Sequence, residues 1–306
     1  MPEPLAECAG VIRTFGRLTV VDRVDLAVGP GEVVGLLGAN GAGKTTLIRM
    51  LLGLLPVSGG SVRLFGRPPS RAARRRIGYV PQTLGLYDDL TVAENLAFSR
   101  AVFSAAPGRT AAPGRTDIPE SLRRYARVCV RDLPLGVARR AAFAQALEHG
   151  PELLLLDEPT SGVDPLARSR LWETIGEAAG AGAGAIVTTH NMEEAEECSR
   201  LVVLASGRVV AAGTVAGIVG AARTTVVRAA DWTAALRRLE AAGLRAVLSG
   251  ETLRVPGRPG PGVTQALAGL PVRISEEPAT LEERFFELAA AGNASSPETP
   301  AGQAAP

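Results

Sequence analysis

Gly38-Ala39-Asn40-Gly41-Ala42-Gly43-Lys44-Thr45 fits the pattern G-x-x-x-x-G-K-[ST] at every fixed position. Glycines at these places let the backbone curl until successive N–H groups point inward, a concavity that suits a phosphate. Lys44 adds a mobile positive charge for the β- and γ-phosphates of a nucleotide, and the Thr45 hydroxyl is the oxygen that would ligate Mg²⁺. From Thr46 the chain reads as a helix, whose N-terminus adds partial positive charge at the same point. A second chemical group closes an apolar run, Leu153-Leu154-Leu155-Leu156-Asp157-Glu158. Asp157, at the C-terminal end of such a strand, is suited to hold Mg²⁺ through water beside the phosphate loop. Strand alternation turns Glu158 to the opposite face, where it would polarise a water for attack on the γ-phosphate.

These groups need elements to hold them. Val33–Leu37 reads as a short buried strand before the loop and Thr46–Leu52 as a helix after it. The all-apolar Leu153–Leu156 run fits the middle of a parallel sheet covered on both faces. Three more polar residues stand at strand ends or in turns: Gln82 in Gly78-Tyr79-Val80-Pro81-Gln82, Asp164 in Ser161-Gly162-Val163-Asp164, and His190 closing Ala185-Ile186-Val187-Thr188-Thr189-His190. Read singly, such a glutamine is a polar cap, such a histidine a satisfied surface or core group, and Phe15 a core residue. His149, the other histidine, reads as a loop residue before Pro151.

In this order around the phosphate loop and the carboxylate pair, the motifs resemble the ATP-binding domain of ABC transporters, over roughly residues 5 to 220. The resemblance implies a P-loop NTPase α/β fold: a RecA-like mixed sheet with an antiparallel β subdomain and a helical subdomain. It implies that Gly38 to Thr46 bind the ATP phosphates and that Phe15 stacks on adenine. It implies Gln82 as the Q-loop residue that senses Mg²⁺ and the membrane subunit. Asp164 becomes the D-loop residue that meets a second subunit, and His190 the switch histidine on the γ-phosphate. Glu158, His190 and Gln82 are then the catalytic set, and Thr45, Gln82 and Asp157 the metal set.

One motif departs from the family pattern. The signature, ordinarily Leu-Ser-Gly-Gly-Gln at a helix start, aligns with Leu133-Pro134-Leu135-Gly136-Val137. Pro134 replaces the serine hydroxyl and lacks an N–H. Leu135 replaces a glycine, so Gly136 and the helix N-terminus are what remain for an anion. A Leu-Pro-Leu-Gly variant resembles a subgroup of bacterial ATPases that serve ABC-2-type multidrug exporters.

Composition bounds the partners. The chain has 306 residues, 46% of them hydrophobic, and a net charge of +2, which offers no electrostatic case for nucleic acid. The run Arg71 to Arg76 reads as a solvated surface before a strand at Ile77. Cys8, Cys129 and Cys198 have no metal spacing and fit a reducing cytoplasm. No signal peptide opens the chain and no apolar run approaches the ~20 residues that span a bilayer. Transport therefore calls for a separate membrane subunit.

The expected domains are 1–222 for ATP binding, with a helical subdomain at about 91–150, then 223–291 for a small α+β module and 292–306 for a disordered tail rich in Ala, Pro and Ser. Within the helical subdomain, Ala93–Phe103 reads as a helix and Glu120–Val128 as a short one. Between them stands a perfect tandem hexapeptide, Ala105–Thr110 and Ala111–Thr116, whose Pro and Gly exclude helix and predict a flexible insert. The C-terminal module reads β-α-β-β-α-β: strands at 224–229, 244–249, 252–255 and 272–275, helices at 231–242 and 262–270. A closing helix at 280–291 puts Leu281, Phe285 and Leu288 on one face.

The reading is an ATP- and Mg²⁺-dependent ATPase subunit of an ABC exporter. It is expected in the cytoplasm, peripheral on the inner face of the cell membrane. Its partners would be an ABC-2-type permease and a second ATP-binding subunit, identical or not. Two alternatives remain. One is a soluble ABC ATPase acting on nucleic acid or ribosomes, which usually has two such domains or coiled-coil inserts. The other is a nucleotide switch that closes on ATP and scarcely hydrolyses it. A kinase has no acceptor site in its favour.

Overall fold

The computed structural model describes residues 3–104, 118–257 and 260–294. The chain divides into two compact units between Val209 and Val210. The tandem hexapeptide and residues 295–306 lie outside the described residues.

In the first unit β1 (Ala6–Phe15) and β2 (Leu18–Val28) form an antiparallel hairpin. β3 (Val33–Gly38) is buried at all six positions, and the loop after it opens directly into α1 (Lys44–Leu51). β4 (Gly59–Leu64) pairs with β1 and completes a three-stranded sheet ordered β2-β1-β4. α2 (Arg71–Arg74), one turn capped by Ser70, leads into β5 (Ile77–Val80). The helical part holds α3 (Val92–Ser104), a 3-10 turn at Glu120–Tyr125, another at Val130–Asp132, and α4 (Leu135–Leu147). Val92, Leu96, Leu122, Val137 and Ala141 form its core. Then follow β6 (Leu153–Asp157), α5 (Pro165–Gly180), β7 (Gly184–Thr189), α6 (Met192–Glu196), β8 (Arg200–Ala205) and β9 (Arg208–Gly213), the division of the chain falling within β9.

The central sheet is ordered β5-β6-β7-β3-β8-β9. β5, β6, β7, β3 and β8 run parallel to their neighbours. β3, β6 and β7 are buried throughout, as strands covered on both faces must be. Parallel register sets their C-terminal ends side by side. Val80 pairs with Leu156, Asp157 with Thr188, and Leu37 with Thr189. The segments leaving these strands are therefore neighbours, although they are far apart in sequence.

The second unit runs α7 (Val215–Val219), β10 (Arg223–Ala229), α8 (Trp232–Ala241), β11 (Val247–Ser249), β12 (Thr252–Pro256), α9 (Gly260–Ala266), β13 (Val272–Pro278) and α10 (Leu281–Ala294). Its antiparallel sheet is ordered β11-β12-β10-β13, around a core that includes Val227, Leu239, Leu253, Val255 and Val263.

Several elements differ from the sequence reading. Residues 120–128 carry a 3-10 turn rather than an α-helix. Only 247–249 of the expected 244–249 strand is extended against a neighbour. α10 continues through Ala294, so the first three residues assigned to the tail are helical. The basic run is not merely solvated. Arg74 donates to Leu52 O, and Arg76 forms a double hydrogen bond with Glu152 while stacking on Phe65 at 3.6 Å.

Candidate functional site

The loop after β3 needs two left-handed residues, and it has them in Gly41 (φ 82) and Gly43 (φ 99). Gly43 is also hemmed in: a Cβ there would meet Val20 O at 2.7 Å. This loop delivers Lys44 to the start of α1, where its side chain folds back over the loop. Lys44 Nζ donates to Gly38 O at 2.7 Å and Ala39 O at 3.2 Å. It also pairs with Glu158 Oε1 at 3.3 Å, both side chains being less than a tenth exposed.

The two carboxylates at the end of β6 meet the loop in different ways. Asp157 Oδ1 accepts from Thr45 Oγ1 at 3.0 Å and from Thr188 Oγ1 at 2.8 Å. Glu158 departs from the expected alternation. Its φ is 47°, in the left-handed region, so the strand ends at Asp157 and the Glu158 side chain is not carried to the far face. It reaches Lys44 at the same helix start that Asp157 serves, while the Glu158 N–H donates to Thr188 Oγ1 at 2.8 Å. Strain of this kind persists only where surrounding contacts over-determine it. Here the ion pair and the threonine hydrogen bond do so.

Two further predicted residues join Glu158. Gln82 Nε2 donates to Glu158 Oε2 at 3.4 Å. His190 Nδ1 lies 3.5 Å from Glu158 Oε1, with half of the imidazole exposed. Glu158 thus has three neighbours, from the segment after β5, the start of α1 and the end of β7. The oxygens of Thr45 and Asp157 converge, while Gln82 meets the site through its amide nitrogen, on Glu158. Hard oxygen donors with a single carboxylate fit Mg²⁺, which ordinarily keeps waters and takes substrate phosphates as its other ligands. Among the described residues no group of three or more His, Cys, Asp or Glu is arranged to hold a metal ion.

Other predicted residues stand apart from this cluster. Phe15 ends β1, 46% exposed as a residue, with the Arg13 guanidinium 4.4 Å from the ring centroid. Asp164 caps α5, accepting from the Ala167 N–H at 2.9 Å. Gly136 lies in the first turn of α4, after Pro134 as the cap. It packs against that same α5 start: a Cβ on Gly136 would come within 3.6 Å of Asp164 Oδ2. His149 stacks on Phe103 at 3.8 Å and bonds Ile77 O. Burial pushes the Cys8 and Cys198 thiols up to about 12, which leaves them without a thiolate near neutral pH.

Sequence reasoning missed two members of the site. Thr188 donates to the Asp157 carboxylate and accepts from the Glu158 N–H, and its only signal was a threonine pair ending an apolar strand. Arg139 is buried, donating to Gln82 O at 2.8 Å and Pro81 O at 3.4 Å.

Comparison with known proteins accords with this geometry. Residues 21–161 match the family model described as ABC transporter. The chain is 39% identical over 304 residues to the Nod factor export ATP-binding protein I of Paraburkholderia xenovorans (strain LB400), covering 94% of this chain and 98% of that protein. It is 40% identical over 217 residues to the probable multidrug ABC transporter ATP-binding protein YbhF of Escherichia coli (strain K12), covering 69% of this chain and 37% of that protein. A solved structure described as the ATP binding subunit of an ABC transporter superposes with a TM-score of 0.64 at 31% identity, over 70% of this chain and 91% of that one.

Proposed function

The chain belongs to the ABC transporter family as an ATP-binding subunit, and from that premise we propose that it hydrolyses ATP to drive an ABC-2-type exporter through a separate membrane permease. It falls in the subgroup that carries Leu-Pro-Leu-Gly as its signature. Export is favoured by what its relatives are named for, Nod factor export and multidrug transport. Held by the permease, it lies on the inner face of the cell membrane. Among the described residues no helix is long and apolar enough to cross a membrane. The observation that carries the reading is the meeting of Lys44, Thr45, Gln82, Asp157, Glu158 and His190 at adjoining strand ends.

The reaction follows from these contacts. ATP phosphates enter over residues 38–46, and Lys44 exchanges the Gly38 and Ala39 carbonyls for phosphate oxygens. In doing so it loosens its hold on Glu158. Thr45, Asp157 and Gln82 would hold Mg²⁺, which would supply charge neutralisation to the phosphates. Glu158 then accepts the proton of a water whose oxygen attacks the γ-phosphorus, while the bond to the β–γ bridging oxygen breaks and ADP leaves. His190 donates from beside Glu158 to the γ-phosphate. Phe15 offers its exposed ring to adenine.

A second subunit completes the site. Gly136 and the N-terminus of α4 face the ATP of the partner, with Asp164 beside them. The permease has a surface to meet on the helical part. Phe98 and Val102, one turn apart on α3, are about half exposed, and Tyr87 packs edge-on to Phe98 at 5.2 Å. An exposed apolar group of this kind marks an interaction site.

One feature favours the alternative of a nucleotide switch that is not coupled to transport: Pro134 and Leu135 bring no hydroxyl and no close glycine to the partner ATP. A single experiment separates the two readings. The chain copurified with its permease is expected to hydrolyse ATP, and Glu158→Gln to bind ATP within a few-fold of wild type while turnover falls by about 10²–10⁴. Tight ATP binding with no turnover in the unaltered complex would select the switch instead.

A further inference from the structure

Arg139 occupies the second turn of α4, three residues after Gly136, and is only 5% exposed. Keeping a guanidinium out of water is costly unless its donors are satisfied. Its two acceptors, the carbonyls of Pro81 and Gln82, are both neutral, and its Nε is buried with no hydrogen-bond partner. Burial lowers its pKa from the ordinary arginine value, with Glu158 opposing that shift from nearby. An apolar side chain would fill this position at less cost. What arginine adds is a grip on the backbone of residues 81 and 82.

That grip has a direction. The Gln82 carbonyl is held by Arg139, and the Gln82 amide donates to Glu158. A continuous path thus runs from α4 through Arg139 and Gln82 to the Glu158 carboxylate. Residues 139 and 82 are 57 apart in the chain. Arg139 therefore joins the helical part of the unit to the segment after β5.

We propose that Arg139 is a positioning residue, clamping the Gln82 carbonyl so that displacement of α4 is carried to the Gln82 amide and through it to Glu158. When Gly136 docks on the ATP of a partner subunit, the helix moves and Glu158 is set for the water. The inference rests on the reading of Glu158 as base. It gives Arg139 no contact with ATP.

The test measures kcat, KM for ATP and melting temperature for Arg139→Met, Arg139→Lys, Gln82→Ala, the two corresponding double variants and Glu158→Gln. Loss of charge-assisted hydrogen bonds predicts a kcat about 10–100-fold lower for Arg139→Met, with KM moved by less than about threefold. Arg139→Lys keeps the charge and one donor, and should recover part of that loss. In the Gln82→Ala background either Arg139 substitution should lower kcat no further, because the path is already cut. A merely structural role would lower stability and leave the two sites independent. Multiplying fold-losses in the double variants, or an Arg139→Met enzyme with wild-type kcat, would overturn the proposal. If Arg139→Met does not fold, Arg139→Lys alone is read against Gln82→Ala by the same criterion. Wild-type turnover in Glu158→Gln would instead overturn the base assignment, whatever the Arg139 variants do.

Discussion

Lys44 and Glu158 are each less than a tenth exposed and lie 3.3 Å apart, so each supplies the charge that makes the other tolerable. Breaking such a pair costs about 3–5 kcal/mol, because an uncompensated charge is left behind. Lys44→Ala is therefore expected to weaken ATP binding by about 10–100-fold, through lost charge-assisted hydrogen bonds to phosphate. It should also lower the stability of the ligand-free protein. Lys44→Ala/Glu158→Gln should restore much of that stability and none of the affinity. Denaturant titration alongside equilibrium ATP binding checks both halves. Unchanged affinity in Lys44→Ala would remove the loop after β3 from the nucleotide site.

Two elements carry chemistry of their own. In α4, a Cβ on Gly136 meets Ala167 Cβ at 3.3 Å and Asp164 Oδ2 at 3.6 Å. Gly136→Asp would bring a second carboxylate toward Asp164 as well as toward the partner's phosphate. It should bind ATP as a monomer and neither dimerise nor hydrolyse. Gly136→Ala, which asks Ala167 to give only slightly, should keep part of the activity. Sedimentation with ATP and a turnover assay tell the two apart. In α10, Glu283 is buried and accepts from Arg254, Thr224 and the Thr280 N–H. Thr280 and Glu283 form a capping box that fixes the start of the helix. Burial pushes the Glu283 carboxyl up, but hydrogen bonds from Arg254 and Thr280 hold it below its ordinary value of 4.5. The folded pKa is lowered, so Glu283 contributes stability above about pH 4.5, and that stability is lost as pH falls through the folded value. Glu283→Gln should be less stable at neutral pH and show a flatter acid dependence. With Trp172→Phe as background, the fluorescence of Trp232 in α8, the other of two tryptophans, reports this unit.

The whole molecule is proposed to act as one half of a pair. If each ATP lies between one subunit's phosphate loop and the other's α4, Lys44→Ala and Gly136→Asp disable opposite halves of a composite site. A heterodimer of the two would contain one doubly defective site and one site of two intact halves. Mixing the variants is expected to recover part of the ATPase activity that neither has alone. No recovery from heterodimers of proven composition would mean that the two sites cannot fire separately, or that α4 serves its own subunit.

Read along the chain, these residues determine a great deal by local physics. Glycines at 41 and 43 permit the left-handed turns of the phosphate loop. The four leucines before Asp157 demand a strand buried on both faces. The change of pattern past residue 222 signals a second unit, although that unit begins earlier, at Val210, and takes in α7. Thr91 with Glu94, and Thr280 with Glu283, write their helix starts in four residues each, a signal present in the sequence and passed over. What local pattern does not contain is the order β5-β6-β7-β3. That order brings Gln82 to Glu158 across 76 residues, Arg139 to Gln82 across 57 and Thr188 to Asp157 across 31. It also decides that Glu158 turns back toward Lys44, because a left-handed backbone there is stable only when a distant lysine and a distant threonine hold it. Alternation, a rule of the isolated strand, has no term for either partner.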